Sequence, residues 1–473
     1  MTDKPNIILI VIDALRARNL GCFSGNQKIS PNIDRVAENG ALFEDAYCTW
    51  NTTDSSLTTI LTGKYPVSHG ITNHGDKVTE QDIAIFNSSK TKMLPEILKQ
   101  KGYKNIAIDW MGRWFKRGFD YYGYDVNYSI FNKIKQYIKY VLSHRRILKF
   151  YTNKRKFKFP SIEDIKGVIN TFMFTRELAE IQDAKYVTDS AINMIKKNRD
   201  KKIFTFIHYW DTHSPYHCPN EFLNPKSDKD KDILIGRYKG AVKYVDKQIG
   251  RLVKKLRKMG KLENTLMIIT SDHGDSLTEH GIYFDHHGLY NETIHVPLIL
   301  HYPEKISSDK RVKGFVQHTD LVPTILDIID SNEFSKDLDG QSLMPVIKGN
   351  TDKIRPFIYS EESYVQKKRA IRNSNYKYIY ATDGTGYCRY CDKVHQGPEE
   401  LYDMINDPNE LSNIVDEKRE IADEMRNEID RLVCKLEQKR NSISEQKSKK
   451  KENFDEKEMG KIKKKLKSLG YID

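Results

Sequence analysis

Carboxylate and imidazole side chains follow three separate apolar segments of the sequence. Asp13 ends the first segment, residues 208–213 read HYWDTH at the end of the second, and residues 271–275 read SDHGD at the end of the third. Carboxylate oxygens joined by one imidazole, supplied from segments far apart in the chain, suit a hard divalent cation. We therefore predict a cation site where these segments meet.

Asp272 and His273 form the most specific pair of this set. Gly274 follows them and permits a tight turn that places both side chains at one site. The alternative is that Asp272 only caps a helix. Residues 285–287 read DHH, and on a loop they could bind a second metal, donate to a substrate oxyanion or be exposed.

A run of hydroxyl residues precedes the short helix predicted over 57–61, which Gly63 ends. The hydroxyl residues are Thr52, Thr53, Ser55 and Ser56. A hydroxyl at a helix N-terminus either caps the helix or acts as a nucleophile whose developing charge the helix end stabilises. The segment alone leaves both interpretations open.

Short apolar segments alternate with longer helical patterns through most of the chain. The predicted strands are 7–12, 105–109, 203–210, 266–270 and 296–301. The predicted helices between them are 31–39, 93–101, 184–197 and 235–259. Continuous apolar strands separated by helices predict an α/β fold with a mostly parallel sheet sandwiched by helices. Ligands of such sheets bind at the carboxyl ends of the strands, where the residues above lie.

The pattern changes after about residue 332, which predicts three units. Residues 1–336 form the first, with a basic helical insertion at about 126–165. Residues 337–434 form a smaller C-terminal α+β subdomain, because they contain short, two-sided segments typical of a small antiparallel sheet. These segments are 357–361, 364–372 and 376–380. Residues 435–473 are a Lys-rich tail, helical or partly disordered.

Composition excludes a disordered chain and an integral membrane protein. The 473 residues are 38% hydrophobic, and no segment approaches the ~20 apolar residues that span a bilayer. The N-terminal segment lacks a signal-peptide pattern, so we predict a cytoplasmic protein. Six scattered cysteines indicate reduced thiols. Cys388 and Cys391 form one CxxC, for which a turn without metal is preferred to a zinc site.

Basic residues outnumber acidic ones by 78 to 65, and segment 131–159 has ten basic residues and no acidic one. The segment is typical of a basic amphipathic helix. It could contact an anionic surface such as lipid head groups, polyanionic glycan or nucleic acid, or its outer face could simply be solvated.

Taken together, the segments resemble the sulfatase branch of the alkaline phosphatase superfamily. Motifs similar to those of the family, in the family's order, include SPNIDRVAENGALFEDAYC (30–48), LTGKYPVSHGI (61–71), TSDHGDSLTEHG (270–281) and LYNETIHVPLIL (289–300). The resemblance implies an alkaline-phosphatase-like fold and one divalent cation, with calcium or magnesium preferred and manganese or zinc as alternatives. The implied metal ligands are Asp13, Asp272 and His273.

The resemblance also implies an anion pocket around the nucleophile position, which falls on Thr53. Arg113 takes the place of a substrate-binding lysine, His213 aligns with a histidine near the leaving group, and His286 takes the place of a second lysine. The implied catalytic residues are therefore Thr53, His213 and Arg113, and the implied substrate-binding residues are Arg113, His213 and His286.

Four departures from the family pattern change the expected chemistry. Family sulfatases carry Cys or Ser in a C/S-x-P-x-R element that is oxidised to formylglycine, whereas residues 53–57 read TDSSL. Thr53 cannot yield that aldehyde, so no formylglycine is expected. Leu57 replaces the arginine of that element, Phe115 replaces a histidine, and Ala14 replaces the second of two adjacent aspartates.

The sequence therefore predicts a metal-dependent, sulfatase-like hydrolase of sulfate or phosphate esters with a Thr nucleophile. Its expected partner is a sulfated or phosphorylated small molecule or glycan. One alternative is a phosphodiesterase or phosphonate monoester hydrolase with one or two metals, the second held by Asp211, His217 and His287. The other is a catalytically idle member that binds anions or glycans through segment 131–159.

Overall fold

The structure is a computed structural model that describes residues 4–440, except 27, 124–182, 215, 228, 386, 389–392 and 396. The predicted basic insertion, segment 131–159, Cys391 and most of the predicted tail lie outside the described residues.

Among the described residues, the larger of two main sheets has eight strands. In chain order they are β1 (Asn6–Ile12), β2 (Ala41–Tyr47), β3 (Lys104–Ile108), β4 (Tyr121–Tyr122), β5 (Ile203–Tyr209), β6 (Thr265–Thr270), β7 (Leu298–His301) and β8 (Lys310–Gln317). Their order across the sheet is β4-β3-β5-β1-β6-β7-β2-β8. Only β7 among them runs antiparallel to its neighbours. The predicted mostly parallel sheet is confirmed.

Helices cover both faces of this sheet. The helices are α1 (Gly21–Ser24), α2 (Pro31–Glu38), α3 (Thr53–Thr62), α4 (Pro66–His69), α5 (Glu80–Ser88), α6 (Leu94–Gln100), α7 (Ala184–Lys197), α8 (Asp230–Lys258), α9 (Asn291–Ile294), α10 (Leu321–Ile328), α11 (Met344–Ile347) and α12 (419–440). Alternate residues of the fully buried β1 enter two cores. Ile7, Leu9 and Val11 pack with α3, α6 and α10. The other face packs with α2, α7 and α8.

The smaller sheet lies in the C-terminal part of the chain. Its strands are β9 (Ile358–Glu362), β10 (Lys368–Arg372), β11 (Tyr376–Ala381) and, later in the chain, β14 (Glu399–Asp403). They pair antiparallel in the order β14-β11-β10-β9. A separate hairpin joins β12 (Tyr387–Cys388) to β13 (Lys393–Val394). Helix α12 packs its apolar side on this sheet.

The sequence prediction missed β2, β4 and β8 and misplaced several element starts, two of which lie close to the site. Strands β2 and β8 carry charged residues among their apolar ones, and β4 has only two residues. The strand predicted at 296–301 begins at Leu298, after Pro297, which has no N–H to donate to a sheet. The helix predicted from residue 57 begins at Thr53. Among the described helices, none combines the length and apolar composition needed to cross a membrane.

Candidate active site

The ends of three adjacent strands meet at one buried point. Strand β1 lies between β5 and β6, so Asp13, which follows β1, lies beside the residues that follow β6. Ligand atoms of Asp13, Asp272 and His273 lie within 4.8 Å of one another, and all three side chains are fully buried. The structure thus brings together the three predicted metal ligands.

Lone pairs of two carboxylate oxygens and one imidazole nitrogen converge at this point. Asp13 Oδ1 and Asp272 Oδ2 receive no hydrogen bond from any described residue. His273 Nδ1 lies 2.8 Å from the carbonyl oxygen of Gly274, so it donates there and Nε2 keeps its lone pair. His273 Nε2 is 3.3 Å from Asp272 Oδ2 and 4.0 Å from Asp13 Oδ1.

The electrostatics of this cluster suit a cation. Burial, together with the charges of Asp272 and Asp275, raises the pKa of Asp13 well above its usual range. Burial alone would raise the pKa of Asp272 too, but His273 and His208 outweigh it and the pKa is lowered. Two buried carboxylates without a counter-charge are costly. The donor set therefore fits one divalent cation held by two carboxylates and one imidazole.

Thr53 is the first residue of α3, and its hydroxyl faces this cluster. Its Oγ1 lies 3.3 Å from His273 Nε2 and 3.5 Å from Asp13 Oδ2. The N-cap position of α3 belongs to Thr52, whose side chain makes no capping hydrogen bond with the described residues. The Thr53 hydroxyl thus lies at the positive end of the helix dipole, next to the predicted metal ligands.

Imidazole rings surround the space next to His273. The ring centre of His286 is 4.4 Å from that of His273, 6.1 Å from that of His213 and 6.3 Å from that of His74. Burial lowers the pKa of His213 to about 4 and that of His286 well below its usual range. Both predicted histidines therefore lie beside the cluster and are neutral in the absence of a bound anion.

Arg113 is tied to the residue that follows the nucleophile position. Its Nη2 donates to Asp54 Oδ1 at 2.6 Å, and Nη1 donates to the carbonyl oxygen of Gly75 at 3.2 Å. The backbone of Arg113 is left-handed, with φ of 48°, after Gly112. The predicted Arg113 thus lies beside the N-terminus of α3, paired with Asp54, which is not among the predicted site residues.

Asp109, which sequence reasoning missed, pairs with His208, the first residue of the predicted 208–213 segment. His208 Nδ1 lies 3.0 Å from Asp109 Oδ1, and His208 Nε2 lies 3.7 Å from Asp13 Oδ2. The hydroxyl of Tyr122 donates to Asp109 Oδ2. Asp109 follows β3 and His208 lies in β5, so both are at the strand ends that predict the site. The Asp109–His208 pair thus lies next to the predicted metal ligand Asp13.

The residues proposed for a second metal each have another contact. Asp211 Oδ1 accepts from the backbone N–H of Ala184 at the start of α7. His217 lies 3.9 Å from Asp183, and His287 lies 3.2 Å from Asp285. Within the described part of the chain, one other group has metal-like spacing, and it contains His280, Glu292 and Glu410. Arg18 and Lys377 already pair with its two carboxylates.

The chain matches two family models. The model for the sulfatase family covers residues 5–331, and the model described as N-sulphoglucosamine sulphohydrolase, C-terminal, covers residues 278–438. Similar curated proteins include an N-acetylglucosamine-6-O-sulfatase of Bacteroides thetaiotaomicron, which is 27% identical over 87% of this chain and 83% of its own length. An arylsulfatase of Clostridium perfringens is 26% identical over 89% of this chain and 93% of its own length.

Solved structures share the fold. The structure of Ps i-CgsB in complex with k-i-k-neocarrahexaose superposes with a TM-score of 0.66, covering 91% of this chain and 93% of that one. The two sequences are 24% identical. The predicted alkaline-phosphatase-like architecture, with its large sheet and smaller C-terminal antiparallel sheet, is confirmed.

Proposed function

The chain belongs to the sulfatase family of sulfuric ester hydrolases, and on that premise we propose that it hydrolyses sulfate or phosphate esters with Thr53 as the nucleophile. The observation that carries this proposal is the 3.3 Å distance from Thr53 Oγ1 to His273 Nε2, beside the converging lone pairs of Asp13 and Asp272. A hydroxyl with no capping role at this point is best explained as a reacting group.

Asp13, Asp272 and His273 would hold one divalent cation. When bound, such a cation lowers the pKa of a neighbouring hydroxyl and withdraws charge from an ester oxygen. Its donor set, two carboxylates and one imidazole, is compatible with calcium or magnesium and also with manganese or zinc.

The chain's own groups account for the remaining steps. Thr53 Oγ1 attacks the sulfur or phosphorus atom, and Asp13 Oδ2, at 3.5 Å, is placed to take its proton. The bond to the leaving alcohol breaks, and His213 gives that oxygen a proton once the bound anion has favoured its charged form. Water then attacks the sulfur or phosphorus atom of the ester on Thr53, the neutral His213 takes the proton of that water, and Asp13 returns its proton to Thr53 Oγ1 as the bond to Thr53 breaks. Arg113 and His286 bind the non-bridging oxygens.

A threonine nucleophile favours phosphorus chemistry as a second candidate function. A formylglycine hydrate releases sulfate by collapsing to the aldehyde, whereas a threonine ester must be hydrolysed by water. Leu57, which replaces the arginine of the formylglycine element, is fully buried in the core under α3. Phosphodiesters and phosphonate monoesters therefore stand beside sulfate esters as substrates.

The similar proteins support a sulfated carbohydrate as the natural substrate. One similar protein is an N-acetylglucosamine-6-O-sulfatase, and one solved structure holds a neocarrahexaose.

We further propose that the protein is cytoplasmic and that segment 131–159, outside the described residues, contacts an anionic surface.

The proposal is tested by turnover of 4-nitrophenyl sulfate and of bis(4-nitrophenyl) phosphate after chelation and re-addition of calcium, magnesium, manganese or zinc. We expect metal-dependent turnover, and the faster substrate identifies the transferred group. Asp272→Asn should lose the metal response. Asp246→Asn, which removes a buried carboxylate that binds the start of α2, should keep it. A folded, metal-loaded protein that turns over neither substrate would support the idle anion-binding alternative.

A further inference from the structure

Asp54 is a buried carboxylate that the mechanism above does not use. It follows Thr53 in the first turn of α3, and its side chain is completely buried. Oδ1 accepts from Arg113 Nη2 at 2.6 Å, and Oδ2 accepts from the backbone N–H of Gly75 at 2.7 Å. Oδ2 also lies 3.1 Å from His74 Nδ1. A fully buried acid with this many partners has a defined position beside the reacting hydroxyl.

The carboxyl of Asp54 is ionised at neutral pH. Burial would raise its pKa, but the contacts with His74, Arg113 and Gly75 outweigh burial and lower it. The Arg113 side chain is 31% exposed, and the Asp54 carboxylate therefore compensates the charge of its guanidinium on the buried side. Arg113 is the arginine that the anion pocket was predicted to use.

The charges of the cation, its two carboxylate ligands and the Asp54–Arg113 pair therefore come close to balance. The carboxylates of Asp13 and Asp272 match the charge of one divalent cation, and Asp54 matches Arg113. The imidazoles of the pocket add positive charge only when protonated. A phosphate monoester carries close to two negative charges at neutral pH, whereas a sulfate monoester or a phosphodiester carries one. The second charge of a phosphate monoester would lie in a buried site without a partner, which is costly.

We propose that Asp54 is a specificity-determining residue that restricts this site to singly charged esters, namely sulfate monoesters, phosphodiesters and phosphonate monoesters, and disfavours phosphate monoesters. The inference rests on the proposed function, because it concerns the same site. It assigns Asp54 a role in substrate choice through Arg113, with no contact to the reacting atoms.

The first test compares 4-nitrophenyl phosphate with 4-nitrophenyl sulfate, which share a leaving group. The wild type should prefer the sulfate ester. In Asp54→Asn, which keeps an acceptor for Arg113, the ratio of kcat/KM for phosphate over sulfate should rise about tenfold, because one negative charge has left the pocket. Asp246→Asn serves as the matched control and should leave the ratio unchanged. A wild type that prefers the phosphate monoester, or an unchanged ratio in Asp54→Asn, overturns the proposal.

A second test needs no turnover. In a Thr53→Ala background with the cation present, calorimetry measures the binding of benzenesulfonate, which is singly charged, and of phenylphosphonate, which is doubly charged at alkaline pH. We expect benzenesulfonate to bind more tightly, and the added Asp54→Asn change to shift the ratio of dissociation constants about tenfold toward phenylphosphonate. Equal shifts for both anions, or no binding of either, overturn the proposal. If the protein prefers benzenesulfonate but turns over neither ester, the proposed function fails while this inference stands.

Discussion

At the residue scale, the chemistry of the site depends on which ring nitrogen of each histidine carries the proton. His273 donates Nδ1–H to the carbonyl oxygen of Gly274, and this one hydrogen bond fixes its Nε2 as an acceptor facing Asp13 and Asp272. His213 is held in the same way, since its Nδ1 lies 2.7 Å from the carbonyl oxygen of Ser214. Its Nε2 therefore gains a proton only when the ring is charged.

This tautomer predicts how His213→Ala depends on the leaving group. A 4-nitrophenolate leaves without protonation, whereas a sugar or alkyl alcohol needs a proton from an acid. We expect His213→Ala to lower kcat by roughly 10²-fold or more for an alkyl or sugar ester and by about tenfold or less for the 4-nitrophenyl ester. Steady-state kinetics with both substrates measure this difference. Equal losses for the two esters would contradict a role for His213 at the leaving oxygen.

Sequence reasoning identified Asp13, Thr53, Asp272 and His273 as candidates because each lies next to a recognisable element end or motif. Asp54 and the pairing of Asp109 with His208 were missed for a physical reason. Their roles come from distances between side chains on α3, β3 and β5 and on the loop of Arg113, and no local pattern encodes such distances. Asp54 could have been suspected only as an acid beside a hydroxyl at a helix start.

At the element scale, the smaller sheet holds the loop that carries His286. Glu362, the last residue of β9, accepts from the backbone N–H of Gly288 at 2.7 Å and from Asn51 Nδ2 at 3.1 Å. Asn51 Nδ2 also lies 2.8 Å from the carbonyl oxygen of His286. The C-terminal sheet thus connects the His286 loop to the segment that enters α3.

Glu362→Ala should therefore weaken the attachment of the His286 loop to the segment that enters α3. We expect a loss of about 1–3 kcal/mol in the free energy of unfolding, because buried donors lose their acceptor. We also expect a KM increase larger than any fall in kcat, since the loop of His286 binds substrate. Chemical denaturation and steady-state kinetics measure the two effects. Glu361→Ala is the control, because Glu361 pairs with Arg369 and the hydroxyl of Tyr359 within the smaller sheet. An equal rise in KM for both variants would refute the connection.

The elements themselves were predictable to different degrees. Strands β1, β5 and β6 are continuous apolar runs because they lie in the middle of a sheet covered on both faces. Strand β8 is the edge strand and β2 is the strand next to it, and both contain charged residues, so their pattern did not separate them from loops. The direction of β7 depends on its neighbours in space and was not encoded locally.

At the scale of the whole molecule, buried histidines make folding sensitive to acid. Burial lowers the pKa of His69 to about 3 and that of His318 to about 4. His69 Nδ1 accepts from the backbone N–H of Ile71, and its Nε2 lies 3.2 Å from Thr59 Oγ1. Both rings are therefore held neutral inside the folded chain.

The sign of the pH effect follows from these shifts. Below pH ~6.5 the unfolded chain protonates both histidines, whereas the folded chain does so only near pH 3 to 4. The unfolded state binds more protons in this window, so the free energy of unfolding falls as pH drops, by about 1.4 kcal/mol per pH unit for each histidine. Urea denaturation between pH 7 and pH 5 should show this fall, and His69→Gln should reduce its slope. An unchanged slope in His69→Gln would contradict the assignment.

The most direct test of the account is turnover by Thr53→Ala beside its neighbour Thr52→Ala, with the activating cation present. Thr52 is the N-cap residue of α3, and its hydroxyl has no hydrogen-bond partner among the described residues. We predict that Thr53→Ala loses turnover of 4-nitrophenyl sulfate and bis(4-nitrophenyl) phosphate by roughly 10⁴-fold or more. Thr52→Ala should stay within about tenfold of the wild type. Retained turnover in a folded, metal-loaded Thr53→Ala would contradict Thr53 as the nucleophile.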